Sequence, residues 1–242
     1  SLSVEEQFYA VWPLAVLAAG WWAVRRAAGP RAGIAVVVLL AGVILFAHSV
    51  ERTAVEAGPA YFSTFARGWE FAVGAAVALI PAGRLRLTPR VASVLAWAGL
   101  ATLAWCTVTY DVDTAFPGPA ALVPCVAAAA IIVAGLSTTH TVPARLLATA
   151  APRWVGRISY SWYLWHWPLL VFAAILWGDL SPLVASAVVV ASVVPALVAH
   201  HLVEEPFRRS RRLSRSPRLA FGVGAACVGS IAVLTVGASF SV

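Results

Sequence analysis

The sequence of 242 residues is 61% hydrophobic and 11% charged, with a formal net charge of +7. A soluble domain carries about a quarter charged residues, and one of this length has no way to hide so much apolar surface. The charges also cluster, and between the clusters run apolar stretches of roughly 17 to 22 residues, the length that crosses a ~30 Å hydrocarbon layer as a helix. The expected fold class is all-α, a polytopic transmembrane helix bundle.

In chain order the apolar runs are 8–24, 32–47, 61–80, 91–110, 119–136, 158–177, 183–203 and 219–239, about eight transmembrane helices in all. Short connections separate them, punctuated by Gly29-Pro30, Gly58-Pro59, Pro117-Gly118 and Ser181-Pro182. The longest loop, 138–157, holds a candidate amphipathic interfacial helix at 143–150. Cys106, Cys125 and Cys227 lie inside apolar runs without short spacing, so they read as small core residues and not as a disulfide framework or metal site. The chain opens at Ser1 in mid-pattern and contains no Met, so a fragment of a longer protein is expected.

Arg placement sets the orientation. Arg25, Arg26 and Arg31 follow the first run; Arg84, Arg86 and Arg90 follow the third. Arg145, Arg153 and Arg157 follow the fifth, and Arg208, Arg209, Arg211, Arg212, Arg215 and Arg218 the seventh. The alternate loops carry Glu51, Arg52 and Glu56, then Asp111 and Asp113, then Asp179. Fifteen Arg thus fall on one side and one on the other, with Arg67 inside a run. The Arg-rich side is expected to be cytoplasmic, in the inner membrane, with both ends of the fragment outside. This bias accounts for the basic balance without nucleic acid, and the 208–218 run suits anionic lipid headgroups of the bilayer.

Ionisable side chains inside a bilayer cost about 2.5–3.5 kcal/mol each on insertion scales and mark candidate sites. Arg67 and Glu70, spaced i,i+3, share a helix face and can pair. Counted from Tyr61 at ~1.5 Å per residue, Glu70 sits about 14 Å deep; His166, counted from Ile158, sits about 12 Å up. Both then approach the midplane. The alternatives are a buried pair that only orients helices and a histidine bonded to a neighbouring helix. His166 lies in an aromatic segment, Tyr163-Leu164-Trp165-His166-Trp167-Pro168, whose Pro can kink the helix. Glu5, Glu6 and Gln7 stand at the outer entrance of the first run, where a solvated helix start is the competing reading. His200, His201, Glu204 and Glu205 close the seventh run. Adjacent histidines point about 100° apart on a helix, so His200-His201 is a poor metal pair, and no metal site is expected.

Those same residues resemble the acyltransferase family three proteins, the OafA/YrhL-like membrane O-acyltransferases. Ser1-Leu2-Ser3-Val4-Glu5-Glu6-Gln7-Phe8-Tyr9 with Trp12-Pro13 is similar to that family's most recognisable motif. Tyr61-Phe62-Ser63-Thr64 with Arg67, Trp69, Glu70 and Gly74 resembles its next block, and Phe116-Pro117-Gly118 with Pro124 another. Gly156-Arg157-Ile158-Ser159-Tyr160-Ser161, running through Tyr163 to Pro168, resembles a fourth. Val203-Glu204-Glu205-Pro206-Phe207-Arg208-Arg209 resembles the close.

The resemblance, over residues 1–209, implies the C-terminal part of an acyltransferase membrane domain. It implies transfer of an acyl group, commonly acetyl, from acyl-CoA as co-substrate to a hydroxyl of a carbohydrate or glycolipid acceptor, with no bound cofactor. Arg67, Glu70 and His166 become catalytic candidates; Glu5, Glu6, Gln7, Arg153, Arg157 and Glu204 become substrate-binding candidates, Arg153 and Arg157 for CoA phosphates. The family's proposed catalytic His and Arg-x-x-Arg motif belong to earlier helices and match no position here. Residues 210–242 are expected to be a basic linker and an extra helix, leading to an extracytoplasmic SGNH-like domain. A transporter and a non-catalytic membrane scaffold are the rival readings.

Overall fold

The computed structural model describes residues 30–81, 84–111 and 113–210, with isolated positions between 21 and 229. Every regular element among the described residues is helical. The chain divides into two compact units, residues 1–149 and 150–242.

In the first unit, α1 spans Pro30–Val55, opened by a proline whose missing N–H costs nothing in a first turn. It outruns the apolar stretch 32–47, carrying Ser49, Glu51 and Arg52 in helix, because no breaker intervenes before Glu56, which turns extended. A single turn, α2 (Ala57–Tyr61), follows. Ser63 is then extended, and its side chain accepts from the Ala66 N–H at 3.3 Å, so α3 begins at Thr64 and ends at Ala78. That cap corrects the expected run 61–80: α3 has 15 residues, about 22 Å of helix, and Glu70 lies about 9 Å from its start. Thr88 caps α4 (Pro89–Thr109). α5 spans Gly118–Ser137, and the short helix foreseen after it is α6, Val142–Leu147.

Small residues set how closely these helices approach. A Cβ on Gly42 would meet the Ala72 Cβ at 3.2 Å, one on Gly68 the Leu45 Cδ1 at 2.9 Å, and one on Gly99 the Ala127 carbonyl at 2.7 Å. Ala92, Ala96 and Ala134 form a buried cluster between α4 and α5. Large apolar side chains point outward instead: Val108 is 85% exposed and Leu183 82%. Water would penalise each by about 2 kcal/mol. A small-residue interior under an apolar exterior is how helices pack in lipid.

The described residues of the second unit, 150–210, form a helical hairpin. α7 spans Ala150–Trp177, about 42 Å, which is longer than the hydrocarbon layer by some eight residues. Gly178, at φ +74°, ends it, its N–H returning to the Ala174 carbonyl at 2.9 Å. The return leg is α8 (Pro182–Ala191), α9 (Val193–Ala199), a π turn at His200–Glu204, and α10 (Glu205–Arg209). The expected run 183–203 is thus broken twice. Pro195 and Pro206 each lack the N–H that would bond four residues back. Before Pro206 the chain widens, and the Glu205 N–H reaches the His200 carbonyl, five residues behind.

Four described helical stretches are long and apolar enough to cross a membrane: 31–55, 89–109, 118–137 and 182–209. The chain is a multi-pass membrane protein. The expectation of eight spans also counted 8–24 and 219–239, which lie outside the described residues apart from isolated positions. It also counted 61–80, where α3 has 15 residues, and 158–177, which falls within α7; neither is among these four.

Candidate functional site

The first unit holds the Arg67–Glu70 pair. Their i,i+3 spacing on α3 places both on one face, and the guanidinium forks onto the carboxylate: Nε donates to Oε1 at 3.3 Å and Nη2 to Oε2 at 3.1 Å. The side chains are 17% and 15% exposed, so the pair is largely shielded. Arg67 also sits over the Tyr61 ring, 5.4 Å from its centroid. Tyr61 lies 6.1 Å from the Phe116 ring, joining the second and third sequence blocks. The Gly118 N–H donates to the buried Thr53 hydroxyl at 3.0 Å, tying α5 to the end of α1. Cys125, on α5, is within electrostatic reach of both charges.

Among the described residues of this unit, two buried polar atoms have no hydrogen-bond partner. Trp69 is 2% exposed, its ring edge-on to Phe46 at 4.9 Å, and its Nε1 makes no hydrogen bond; nor does the hydroxyl of fully buried Ser49. Phe46, Ser49 and Thr53 line one stripe of α1 by their spacing. The groove between α4 and α5, about 400 Å³, is walled by Leu95, Leu122, Val126 and similar side chains. It holds none of the charged candidates.

In the second unit the sequence had set three residues apart that the structure joins. The Ser161 hydroxyl donates to Glu204 Oε2 at 2.8 Å, and His200 Nδ1 lies 2.9 Å from the same oxygen. Ser161 and His200 are buried, Glu204 partly so. Arg208 Nη1 stands 3.9 Å from the other oxygen, and Arg209 pairs with Glu205 at 2.6 Å. The legible signal was His200 and Glu204 at i,i+4. Reading His200 against His201 instead obscured it: His201 turns away to the Leu197 carbonyl at 2.9 Å.

His166 bonds its own helix, Nδ1 to the Tyr163 carbonyl at 2.7 Å, with its ring 5.6 Å from that of Tyr163. Arg153 and Arg157 are exposed in the first two turns of α7. The structure pairs Arg67 with Glu70 in one unit, and His166 belongs to the other. Glu5, Glu6 and Gln7 lie outside the described residues. Among the described residues no three His, Cys, Asp or Glu side chains gather as a metal site.

The sequence matches the acyltransferase domain family over residues 1–201. The chain belongs to that family. This acyltransferase-type chain is 28% identical over 228 residues to the putative peptidoglycan O-acetyltransferase YrhL of Bacillus subtilis, covering 90% of this chain and 36% of that protein. It is 32% identical over 180 residues to the putative membrane-bound transacylase BcsY of Komagataeibacter xylinus, covering 72% and 45%. It is 26% identical over 225 residues to the peptidoglycan O-acetyltransferase OatA of Listeria monocytogenes, covering 87% and 35%. The chain thus spans less than half the length of these relatives. No solved structure matches it.

Proposed function

We propose that this acyltransferase-family chain is part of a membrane-bound O-acyltransferase. It moves an acyl group, in the first instance acetyl, from acyl-CoA to a hydroxyl of a cell-envelope or exported carbohydrate. The observation that carries the reading is the forked Arg67–Glu70 pair, shielded within an apolar unit of a chain whose relatives are named for O-acetyl and acyl transfer.

In such a transfer the acceptor oxygen attacks the thioester carbonyl, the C–S bond breaks, and the hydroxyl proton ends on the departing thiolate. The intermediate carries an oxyanion, and a preorganised donor there lowers the barrier. Arg67 is the donor proposed for it. Glu70 and the Tyr61 ring hold the guanidinium in one orientation, so little reorganisation is needed at the moment of reaction. His166, in its aromatic segment, is proposed to relay the proton. Glu5, Glu6 and Gln7 are proposed to bind the acceptor, and Arg153, Arg157 and Glu204 to serve the donor end. On the charge alternation of the sequence, the enzyme lies in the cytoplasmic membrane with the Arg-rich loops inside.

The test uses membranes holding the intact protein, labelled acetyl-CoA and a panel of glycan acceptors. Ester-linked label on a carbohydrate is the expected result. Solute flux across the membrane with no ester formed would overturn it in favour of a transporter.

A further inference from the structure

We propose that Ser161, His200 and Glu204 form a positioning site which holds Arg208, with Arg157 and Arg153 on the facing row, to receive the phosphate groups of the acyl donor. The inference rests on the acyl-transfer reading above.

Two rows of side chains carry it. On α7, Arg153, Arg157 and Ser161 follow one another at four-residue spacing; on the return leg, so do His200, Glu204 and Arg208. Such spacing stacks side chains along one helix face. The rows meet at the Ser161–Glu204 hydrogen bond, 2.8 Å long and 43 residues apart in sequence. Both continue toward the same end of the hairpin, and both continue in arginine.

Glu204 is fixed more firmly than an interfacial carboxylate requires. One oxygen is taken by two buried groups, the Ser161 hydroxyl and the His200 ring. The π turn that carries His200 and Glu204 is itself a costly geometry, of a kind frequent at functional sites. The second oxygen faces Arg208 at 3.9 Å, too far for a hydrogen bond but near enough to steer the guanidinium, which is 58% exposed. Its N–H groups stay available to a second acceptor. Arg209, by contrast, is committed to Glu205 at 2.6 Å. Arg153 and Arg157 are exposed and have no ion pair among the described residues. Three guanidinium groups at one end suit phosphate, whose oxygens match their planar fork.

The experiment compares acetyl-CoA with S-acetylpantetheine, the same acetyl thioester without the phosphates and the adenosine they carry, using the intact protein in phosphatidylcholine vesicles. The wild type is expected to favour acetyl-CoA in kcat/KM. Arg208→Gln and Glu204→Gln are expected to raise the KM for acetyl-CoA about tenfold, the loss of one charge-assisted contact, and so to collapse that preference. His200→Phe should do the same, and His200→Asn, which keeps a donor near the carboxylate, should recover most of it. Should a buried variant fail to insert, exposed Arg208 carries the test alone. A preference that survives Arg208→Gln, or a loss equal for both thioesters, overturns the proposal. So does a variant defect seen only as a lost response to added phosphatidylglycerol, which would make lipid headgroups the source of the phosphate. Wild type that transfers from neither thioester removes the acyl-transfer reading itself, and this inference with it.

Discussion

Tyr110 donates its hydroxyl to the Ala120 carbonyl at 2.7 Å, and Ala120 is the residue four positions before Pro124, inside α5. A proline has no N–H to return to that carbonyl, so the helix would leave it unpaired in an apolar setting. The Tyr110 side chain, from the end of α4, supplies the missing donor. Tyr110→Phe should therefore lower stability by about 0.6–1.7 kcal/mol, the range for hydrogen bonds in membrane bundles. In a Pro124→Ala background the carbonyl regains a backbone partner, and the same change should cost less. Thermal unfolding of the detergent-solubilised protein checks both; equal costs in the two backgrounds would sink the account.

Among the described glycines of the first unit, Gly99 has the least room for a side chain. A Cβ there would lie 2.7 Å from the Ala127 carbonyl oxygen and 2.7 Å from Ile131 Cγ1. Ile131 can rotate, but the backbone oxygen cannot move without parting α4 from α5. Gly99→Val is expected to cost about 3 kcal/mol, at the upper end for overpacking. Gly135→Ala, whose Cβ meets nothing within 4 Å, should be close to neutral. A melting comparison of the two variants decides it.

For the Arg67–Glu70 pair, charge and shape can be separated. Arg67→Lys keeps the charge but loses the planar fork onto Glu70 and the seat over the Tyr61 ring. If Arg67 is the oxyanion donor, kcat should fall about 10²-fold, the effect of removing one such donor. Glu70→Gln leaves the guanidinium less firmly held and should reduce kcat by a smaller factor. Rates of acetyl transfer in membranes with matched protein levels measure both, and Arg67→Lys at wild-type rate removes Arg67 from the site.

The helical class was legible because hydrophobic length needs no tertiary information. Helix ends were less so. The start of α3 was misplaced because Tyr61-Phe62 read as apolar continuation, whereas Ser63 caps the helix and turns the chain there. α1 ran past its apolar stretch because Glu51 and Arg52 are good helix residues once outside lipid. Within the site, Arg67–Glu70 was readable from i,i+3 spacing on one helix. The bond from Ser161 to Glu204 was not, since periodicity along one helix is silent about which residue of another it will face. Likewise, Trp69 was marked only as part of a motif, and its unpaired buried indole nitrogen belongs to packing that no local pattern encodes.

Trp162 offers a last test, at the first break in the return leg. α8 ends at Ala191 and α9 begins at Val193, with Pro195 just beyond, unable to bond the Ala191 carbonyl. Into this break Trp162 of α7 points its indole N–H, 3.0 Å from the Val189 carbonyl and 2.9 Å from the buried Ser192 hydroxyl. The ring fills space and the nitrogen joins a hydroxyl that itself donates to the Val189 carbonyl at 2.6 Å. Trp162→Phe keeps most of the apolar area and removes the donor, so its cost should again be about 0.6–1.7 kcal/mol. Trp162→Ala adds a cavity and should cost about 3–5 kcal/mol. If the indole nitrogen pins the break, hydrogen exchange in Trp162→Phe should rise at residues 189–193 while the far end of α7 stays as protected as before. A uniform rise along the hairpin would mean that the bond stabilises the second unit without fixing the break.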